Sequence, residues 1–224
     1  MEKMRYYLKS FIGILFFIVI LFISAGRIDY VEGWIYTILS IFGWLLNVVS
    51  IREDTELLEE RSAPPKDAKE WDKRILKLSA FMTLIATIVA GLESGRFQQS
   101  PDVQWDLCLT GMVLMIGGQL LFLAAKKANT FFSSVVRIQL DRGQTVCESG
   151  PYRFVRHPGY VGMILSWIGF PLVLGSVWST IPTAAAVILL LVRTDKEDKV
   201  LMDELSGYSQ YVQKVRYKLF PGLW

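Results

Sequence analysis

Ligands for a soft metal are scarce in this chain: 224 residues carry two cysteines and one histidine. Neither Cys108 nor Cys147 has a second thiol or a histidine at ligating spacing, so no zinc site and no bound metal is expected. A disulfide between them is excluded as well, because Cys108 falls inside an apolar run and Cys147 in a polar loop on the reducing side. No glycine-rich strand–helix fingerprint is present, which removes a Rossmann-type cofactor site. Internal repeats and low-complexity segments are missing, so the chain reads as one domain over residues 1–224. Nothing in the charge pattern marks a nucleic-acid surface, and the net charge of +3 says little because acids and bases share the same loops.

Charge is absent over five long stretches: residues 10–26, 33–51, 78–92, 107–125 and 159–192. With 52% hydrophobic residues and a positive mean hydropathy, this is the profile of a polytopic membrane protein. The first four stretches, the third extended through Ile75 and Leu76, approach the ~20 residues that cross about 30 Å of hydrocarbon. The fifth is too long for one span, since its 34 residues would reach roughly 50 Å as a straight helix. Pro171, Gly175 and Pro182 interrupt it. It therefore reads as a hairpin: a helix to about Gly175, a turn over residues 176–179, and a second helix to Val192. The expected fold is all-α, four transmembrane helices plus a C-terminal helical hairpin, about six membrane helices in all. Residues 1–125 form the four-span part and residues 126–224 the part that carries the polar loops.

The basic residues set the expected orientation. With the amino terminus inside, 22 of the 24 Lys and Arg fall on the inner side and only Arg27 and Arg96 fall outside. Both termini and every large loop are accordingly expected to be cytoplasmic, in a plasma or inner membrane or in the endoplasmic reticulum. The first span lacks a small-residue cleavage pattern and reads as a span, not a signal peptide. Residues 53–61, with Leu57 and Leu58 among acids, read as a short interfacial helix. Gly117 and Gly118 suit close helix packing, and Gln119 is a polar group at membrane depth facing the bundle interior. After Val192, Leu201, Leu205, Tyr208, Val212 and Val215 recur at helical spacing, with Gly207 expected to break or weaken the helix.

Three polar clusters converge on the inner face. Residues 143–160, GQTVCESGPYRFVRHPGY, contain the lone His157 directly ahead of the fifth run. Pro158 suits the first turn of a helix, leaving N–H groups open at its start. Tyr152 and Tyr160 offer rings for an adenine or apolar pocket. Arg193 and Glu197 lie four apart and share a helix face at the lipid boundary. Residue by residue the reading stays open: His157 reads equally as a local hydrogen-bonding group, and Arg193 as a snorkelling cation paired with Glu197.

Taken together, Gly150-Pro-Tyr152, Arg156-His157-Pro158-x-Tyr160 and, beyond the hairpin, Arg193-x-x-x-Glu197-Asp198 resemble the isoprenylcysteine carboxyl methyltransferases. Their bacterial and archaeal relatives and the membrane phospholipid methyltransferases share the pattern. The resemblance runs from about Asn129 to Trp224 and includes Gly207-Tyr208…Tyr211. It implies S-adenosyl-L-methionine as cofactor, held in a cytoplasmic pocket. It places cofactor contacts on Gln144, Thr145, Val146, Cys147, Tyr152, His157, Pro158, Gly159, Tyr160 and Glu197. It adds Arg137, where the prenylcysteine enzymes carry glutamine. Asp198 stands where many relatives have a second glutamate. Arg193 falls on the position that contacts the methyl acceptor, making it the expected catalytic and substrate-binding residue.

The implied activity is methyl transfer to a lipophilic acceptor that enters from the bilayer. A carboxylate acceptor is already ionised near neutral pH and needs no general base. A guanidinium grips it with two parallel hydrogen bonds. An ammonium acceptor would require a base, for which Glu197, Asp198 and His157 are the nearby candidates. The alternatives are a phospholipid or small-thiol methyltransferase on the same fold, an NADPH-dependent sterol-type reductase, and a non-catalytic membrane binding protein.

Overall fold

The computed structural model describes residues 2–51, 67–99 and 105–224; the interfacial helix expected at 53–61 lies outside them. Every regular element among the described residues is helical. In chain order these are α1 (Glu2–Ala25), α2 (Val31–Ile51), α3 (Glu70–Ala90) with a π-helical turn (Gly91–Arg96), and α4 (Trp105–Ala128). Then come α5 (Pro158–Leu174), α6 (Thr180–Glu204) and α7 (Tyr208–Lys214). Helices α1 to α4 are long and apolar enough to cross a membrane, and α5 is a shorter apolar helix. Leu15, Phe16, Val19 and Ile23 on α1 point away from the protein, an apolar face that lipid would cover.

The fifth apolar run folds as the expected hairpin. Helix α5 stops where Gly175 takes a left-handed backbone (φ +60°), and the N–H groups of Gly175 and Ser176 bond back to Leu172 and Pro171 carbonyls. Buried side chains tie the turn to the rest of the bundle. Glu93, on the π-helical turn, accepts hydrogen bonds from Ser176 Oγ (2.5 Å) and from the Val177 (3.2 Å) and Trp178 (2.9 Å) amides. Tyr30, just before α2, donates its hydroxyl to the Leu174 carbonyl at 2.9 Å. The hairpin tip therefore lies beside the α1–α2 turn and the end of α3. Its 17-residue first arm, about 26 Å long, reaches the far end of the bundle.

Helices α4 and α5 pack along each other more extensively than any other pair. Two glycine pairs make this possible. A Cβ on Gly118 would sit 2.4 Å from the Gly162 carbonyl and one on Gly162 would sit 2.5 Å from the Gly118 carbonyl. Gly111 and Gly169 oppose each other in the same way one level away, at 2.8 and 2.5 Å. Small residues thus let the two backbones touch, as membrane helices do without a hydrophobic drive to associate. Gly118 fills the packing role expected of it, whereas Gly117 meets nothing within 4 Å.

Past the membrane arm, α6 continues to Glu204 and places Arg193, Glu197 and Asp198 on its last three turns. The apolar stripe after Val192 does not run as one helix. The chain breaks at Leu205 and restarts at α7 behind Gly207, whose φ of +86° no ordinary side chain adopts easily. Leu205, Tyr208, Tyr211 and Val215 still form one buried cluster, joined by Ile138 and Val146 of the loop after α4.

Candidate active site

At the end of the bundle away from the hairpin tip, the loop after α4, the start of α5, the end of α6 and α7 enclose an open cleft of roughly 830 Å³, counting its mouth. Arg137, Gln144, Thr145, Val146, Cys147, Tyr152, His157, Gly159, Tyr160, Arg193 and Glu197 all line it. Of the cofactor and acceptor contacts expected from sequence, only Pro158 stays out of the cleft lining; it is the first residue of α5 and fixes where that helix begins.

The loop is held open by its own hydrogen bonds. Gln144 accepts the Gln139 amide at 2.7 Å, Cys147 donates to the Ala128 carbonyl at 3.2 Å, and Arg137 Nη1 donates to Asp141 Oδ1 at 3.1 Å. Tyr152 sits six residues before α5, in a short 3-10 turn (Gly150–Arg153), its hydroxyl near Asn129 Nδ2 at 3.4 Å and its carbonyl accepting Tyr211 Oη–H at 2.7 Å. Burial pushes the Tyr152 hydroxyl above its ordinary pKa, with the Asn129 hydrogen bond opposing, so it is a neutral ring and hydroxyl at any working pH. His157 and Tyr160 stack almost parallel, 4° apart with centroids at 5.7 Å. Gly159 between them leaves room for the Phe132 ring, which a Cβ would meet at 2.8 Å.

Behind this wall lies Asp198, a carboxylate with every side occupied. Arg156 donates to it through Nε and Nη2, both at 2.9 Å, while His157 Nε2 lies at 3.1 Å and Tyr208 Oη–H at 2.7 Å. Arg156 also caps the Val215 and Arg216 carbonyls, at 3.0 and 2.7 Å. One acid thereby joins α6, the loop before α5, α7 and the C-terminal segment. Burial alone would raise the Asp198 pKa; the hydrogen bonds from His157, Arg156 and Tyr208 overcome it and hold the carboxyl well below the usual range. The same arrangement orients the His157 ring and engages its Nε2.

On the opposite wall Tyr160 donates its hydroxyl to Glu197 Oε2, and the Arg193 guanidinium lies over the Tyr160 ring at 5.2 Å. Arg193 is itself buried against a residue that sequence reasoning did not single out. Its Nε meets Asp72 Oδ1 at 2.6 Å and its Nη2 meets Asp72 Oδ2 at 3.3 Å, with the Ser134 carbonyl at 3.1 Å from Nη2. Asp72, in the first turn of α3, is fully buried and also accepts the Val136 amide at 2.8 Å. The Arg193 edge expected to fork an acceptor is thus turned towards α3.

A second, mainly apolar and larger cavity, of roughly 1400 Å³ counting its mouth, lies deeper between the helices. Tyr36, Trp44, Met115, Gln119, Phe122 and Trp167 are among its lining residues, so Gln119 faces the interior as expected. Phe122 of this cavity touches Phe132 of the cleft edge-on, with centroids 5.3 Å apart. Two aromatic rings therefore stand between the polar and apolar spaces. Helix α6 runs past both, with Thr183 and Ala186 at the apolar cavity and Arg193 and Glu197 at the cleft.

Comparison with known proteins bears on this site directly. Residues 109–203 match the isoprenylcysteine carboxyl methyltransferase family. The match takes in α4, the cleft loop, the hairpin and the Arg193–Asp198 turn. The human protein-S-isoprenylcysteine O-methyltransferase is 26% identical over 182 residues, covering 79% of this chain and 63% of the human one. The mouse enzyme of the same name is 28% identical over 169 residues, 74% of this chain and 57% of its own. A probable protein-S-isoprenylcysteine O-methyltransferase from rice is 27% identical over 114 residues, 50% of this chain and 60% of its own. The chain spans about 60% of the length of these relatives. The resemblance to isoprenylcysteine carboxyl methyltransferases read from the motifs is borne out, and the matches do not favour a reductase. Asp72 lies outside the matched residues, as do Tyr208 and Tyr211, which close the cleft from α7.

Proposed function

We propose that the protein is a membrane methyltransferase that uses S-adenosyl-L-methionine to methylate the carboxylate of a lipophilic acceptor. The observation that carries this reading is the meeting of Glu197, Tyr160, His157 and the 144–147 loop with Arg193 around one cleft, inside the segment that matches the family.

The residues present fit the cofactor. Tyr152, His157 and Tyr160 provide flat rings for an adenine, and the backbone of residues 144–147 offers donors and acceptors beside them. Glu197 keeps one carboxylate oxygen without a partner among the described residues, a counter-charge suited to a cationic sulfur. When bound, S-adenosyl-L-methionine would supply an electrophilic methyl group on that sulfur. The protein's part is then to hold the acceptor oxygen at attack distance, because displacement at a methyl group depends chiefly on alignment.

Acceptor class follows from which groups remain available to take a proton. Asp198 is saturated by Arg156, His157 and Tyr208, and His157 Nε2 is engaged by Asp198. Glu197 accepts the Tyr160 hydroxyl on one oxygen, and its other oxygen is assigned to the cationic sulfur as a counter-charge, not to a proton. An ammonium acceptor must shed a proton before attack, whereas a carboxylate need not. Arg193 recognises such an anion, and the apolar cavity beyond Phe122 and Phe132 accommodates the lipophilic part. In this reading residues 126–224 supply the cofactor and catalytic part, and the positive-inside distribution supports a cytoplasmic face for the cleft.

The test is cofactor binding by the purified protein in detergent, with S-adenosylhomocysteine as probe. Wild type should bind it, and Glu197→Ala and His157→Ala should each weaken it by roughly tenfold or more through lost charge and stacking. Equal binding in wild type and both variants would remove the cofactor from this cleft.

A further inference from the structure

The acceptor-side arginine is not alone. Arg193 and Asp72 are both buried, they are 121 residues apart in sequence, and they meet through two N–H···O contacts of 2.6 and 3.3 Å. Nη2 is spent again on the Ser134 carbonyl. Nη1 is the guanidinium nitrogen with no hydrogen-bond partner among the described residues, and Arg193 lines the cleft. Asp72 meanwhile holds the Val136 amide at 2.8 Å, so the same carboxylate fixes Arg193 and the loop forming the adjacent cleft wall.

We propose that Asp72 is a positioning residue for the methyl acceptor, acting through Arg193. It anchors the Nε–Nη2 edge of the guanidinium, offsets its charge, and leaves Nη1 as the single contact to the acceptor carboxylate. This rests on the carboxylate-acceptor reading above and resolves a conflict within it. A guanidinium that grips a carboxylate with two hydrogen bonds and a full charge stabilises the anion and makes its oxygen a poorer nucleophile. A guanidinium already neutralised by Asp72 orients the anion through one N–H and leaves its electron pair reactive. Stronger ground-state binding without stronger transition-state binding would slow turnover, and Asp72 prevents it.

The experiment compares wild type with Asp72→Asn in full-length protein in detergent. The probes are an N-acetylated S-prenyl cysteine, its carboxamide, and S-adenosylhomocysteine. In Asp72→Asn the uncompensated Arg193 should bind the carboxylate probe roughly tenfold more tightly, with KM falling and kcat falling by about the same factor. Affinity for the carboxamide and for S-adenosylhomocysteine should stay within about twofold. A residue that merely supported the fold would lower kcat in proportion to the fraction of protein that binds S-adenosylhomocysteine, and would leave KM where it was. That result overturns the proposal. In an Arg193→Gln background, Asp72→Asn should add no further loss of turnover; an additional loss shows that Asp72 acts by another route and also overturns it. Should Asp72→Asn not fold, Asp72→Glu takes its place, and restoration of wild-type KM and kcat by this charge-conserving change is the supporting outcome. Unaltered constants in Asp72→Asn with an active wild type refute the role of Asp72 alone. A wild type that binds no carboxylate probe refutes the acceptor reading and this inference with it.

Discussion

The two ends of the helix bundle both bury carboxylates, and they bury them differently. At the hairpin tip, Glu93 accepts a serine hydroxyl and two backbone amides and so closes a turn. At the cleft end, Asp198 and Asp72 each take an arginine together with neighbouring donors. Asp198 has no capacity left and works as a fastener between segments. The Asp72–Arg193 pair keeps one guanidinium nitrogen unspent beside an open cleft. Burial of charge by itself therefore does not mark a reactive site; what marks it is a charge that is paired but not saturated, next to space.

Three perturbations should pull the two ends apart. The largest effect is expected from Arg193→Lys. Lysine keeps the charge but cannot engage Asp72 along an edge and present a further N–H, so methyl transfer should fall by roughly 100-fold or more, while S-adenosylhomocysteine affinity changes by less than about threefold. Parallel loss of both would move Arg193 into the cofactor's own shell.

Next comes Asp198→Asn, which strands Arg156 as a buried, half-partnered cation. Thermal or denaturant unfolding should register a loss of about 3–5 kcal/mol, and S-adenosylhomocysteine binding should weaken because His157 loses its orienting partner. Acid probes the same group in the wild type. Its folded pKa is depressed below the ordinary value of 3.8, so its contribution to stability is complete above the unfolded value and drains away as pH falls through the folded one. Unfolding free energy should thus be flat in this contribution above about pH 5 and decline below about pH 4, with the decline smaller in Asp198→Asn. An acid limb of the same slope in the variant would show that other carboxylates carry it.

Smallest is Glu93→Gln at the other end. An amide still accepts from two of the three donors, so the cost should be about 1–2 kcal/mol, read as a drop of a few degrees in Tm. Cofactor affinity and turnover should match wild type. A change in either would mean that the two ends are coupled through α6, and the contrast drawn above would fail.

Much of this arrangement can be read before any coordinates. Pro171, Gly175 and Pro182 announce the hairpin, because backbone chemistry acts locally and leaves its mark locally. The cleft residues could be gathered because their motifs fall on both sides of that hairpin, whose geometry returns its ends to one face. Asp72 escaped notice because its meaning depends on a partner 121 residues away and it sits among Glu70, Lys73 and Arg74, a mixed-charge stretch that looks solvated. One signal was present. Asp72, Ile75, Ser79 and Ala86 lie on a single buried stripe of α3, so an acid in register with the packed face was a candidate for pairing. Asp198 was legible as a candidate base but not as a fastener, since its four donor groups come from two other segments, residues 156–157 and α7. The stripe from Leu201 to Val215 holds as one cluster, and the break open to it at Gly207 is there, because a glycine at positive φ marks the chain locally.

The central claim is that the cleft delivers a methyl group to a carboxylate oxygen. Its most direct test is transfer of labelled methyl from S-adenosyl-L-methionine to an N-acetylated S-prenyl cysteine by the purified protein, followed by mild alkali. A methyl ester releases its label as volatile methanol, and that release is the predicted result. Label that is transferred but survives alkali sits on nitrogen or sulfur, and would contradict the account.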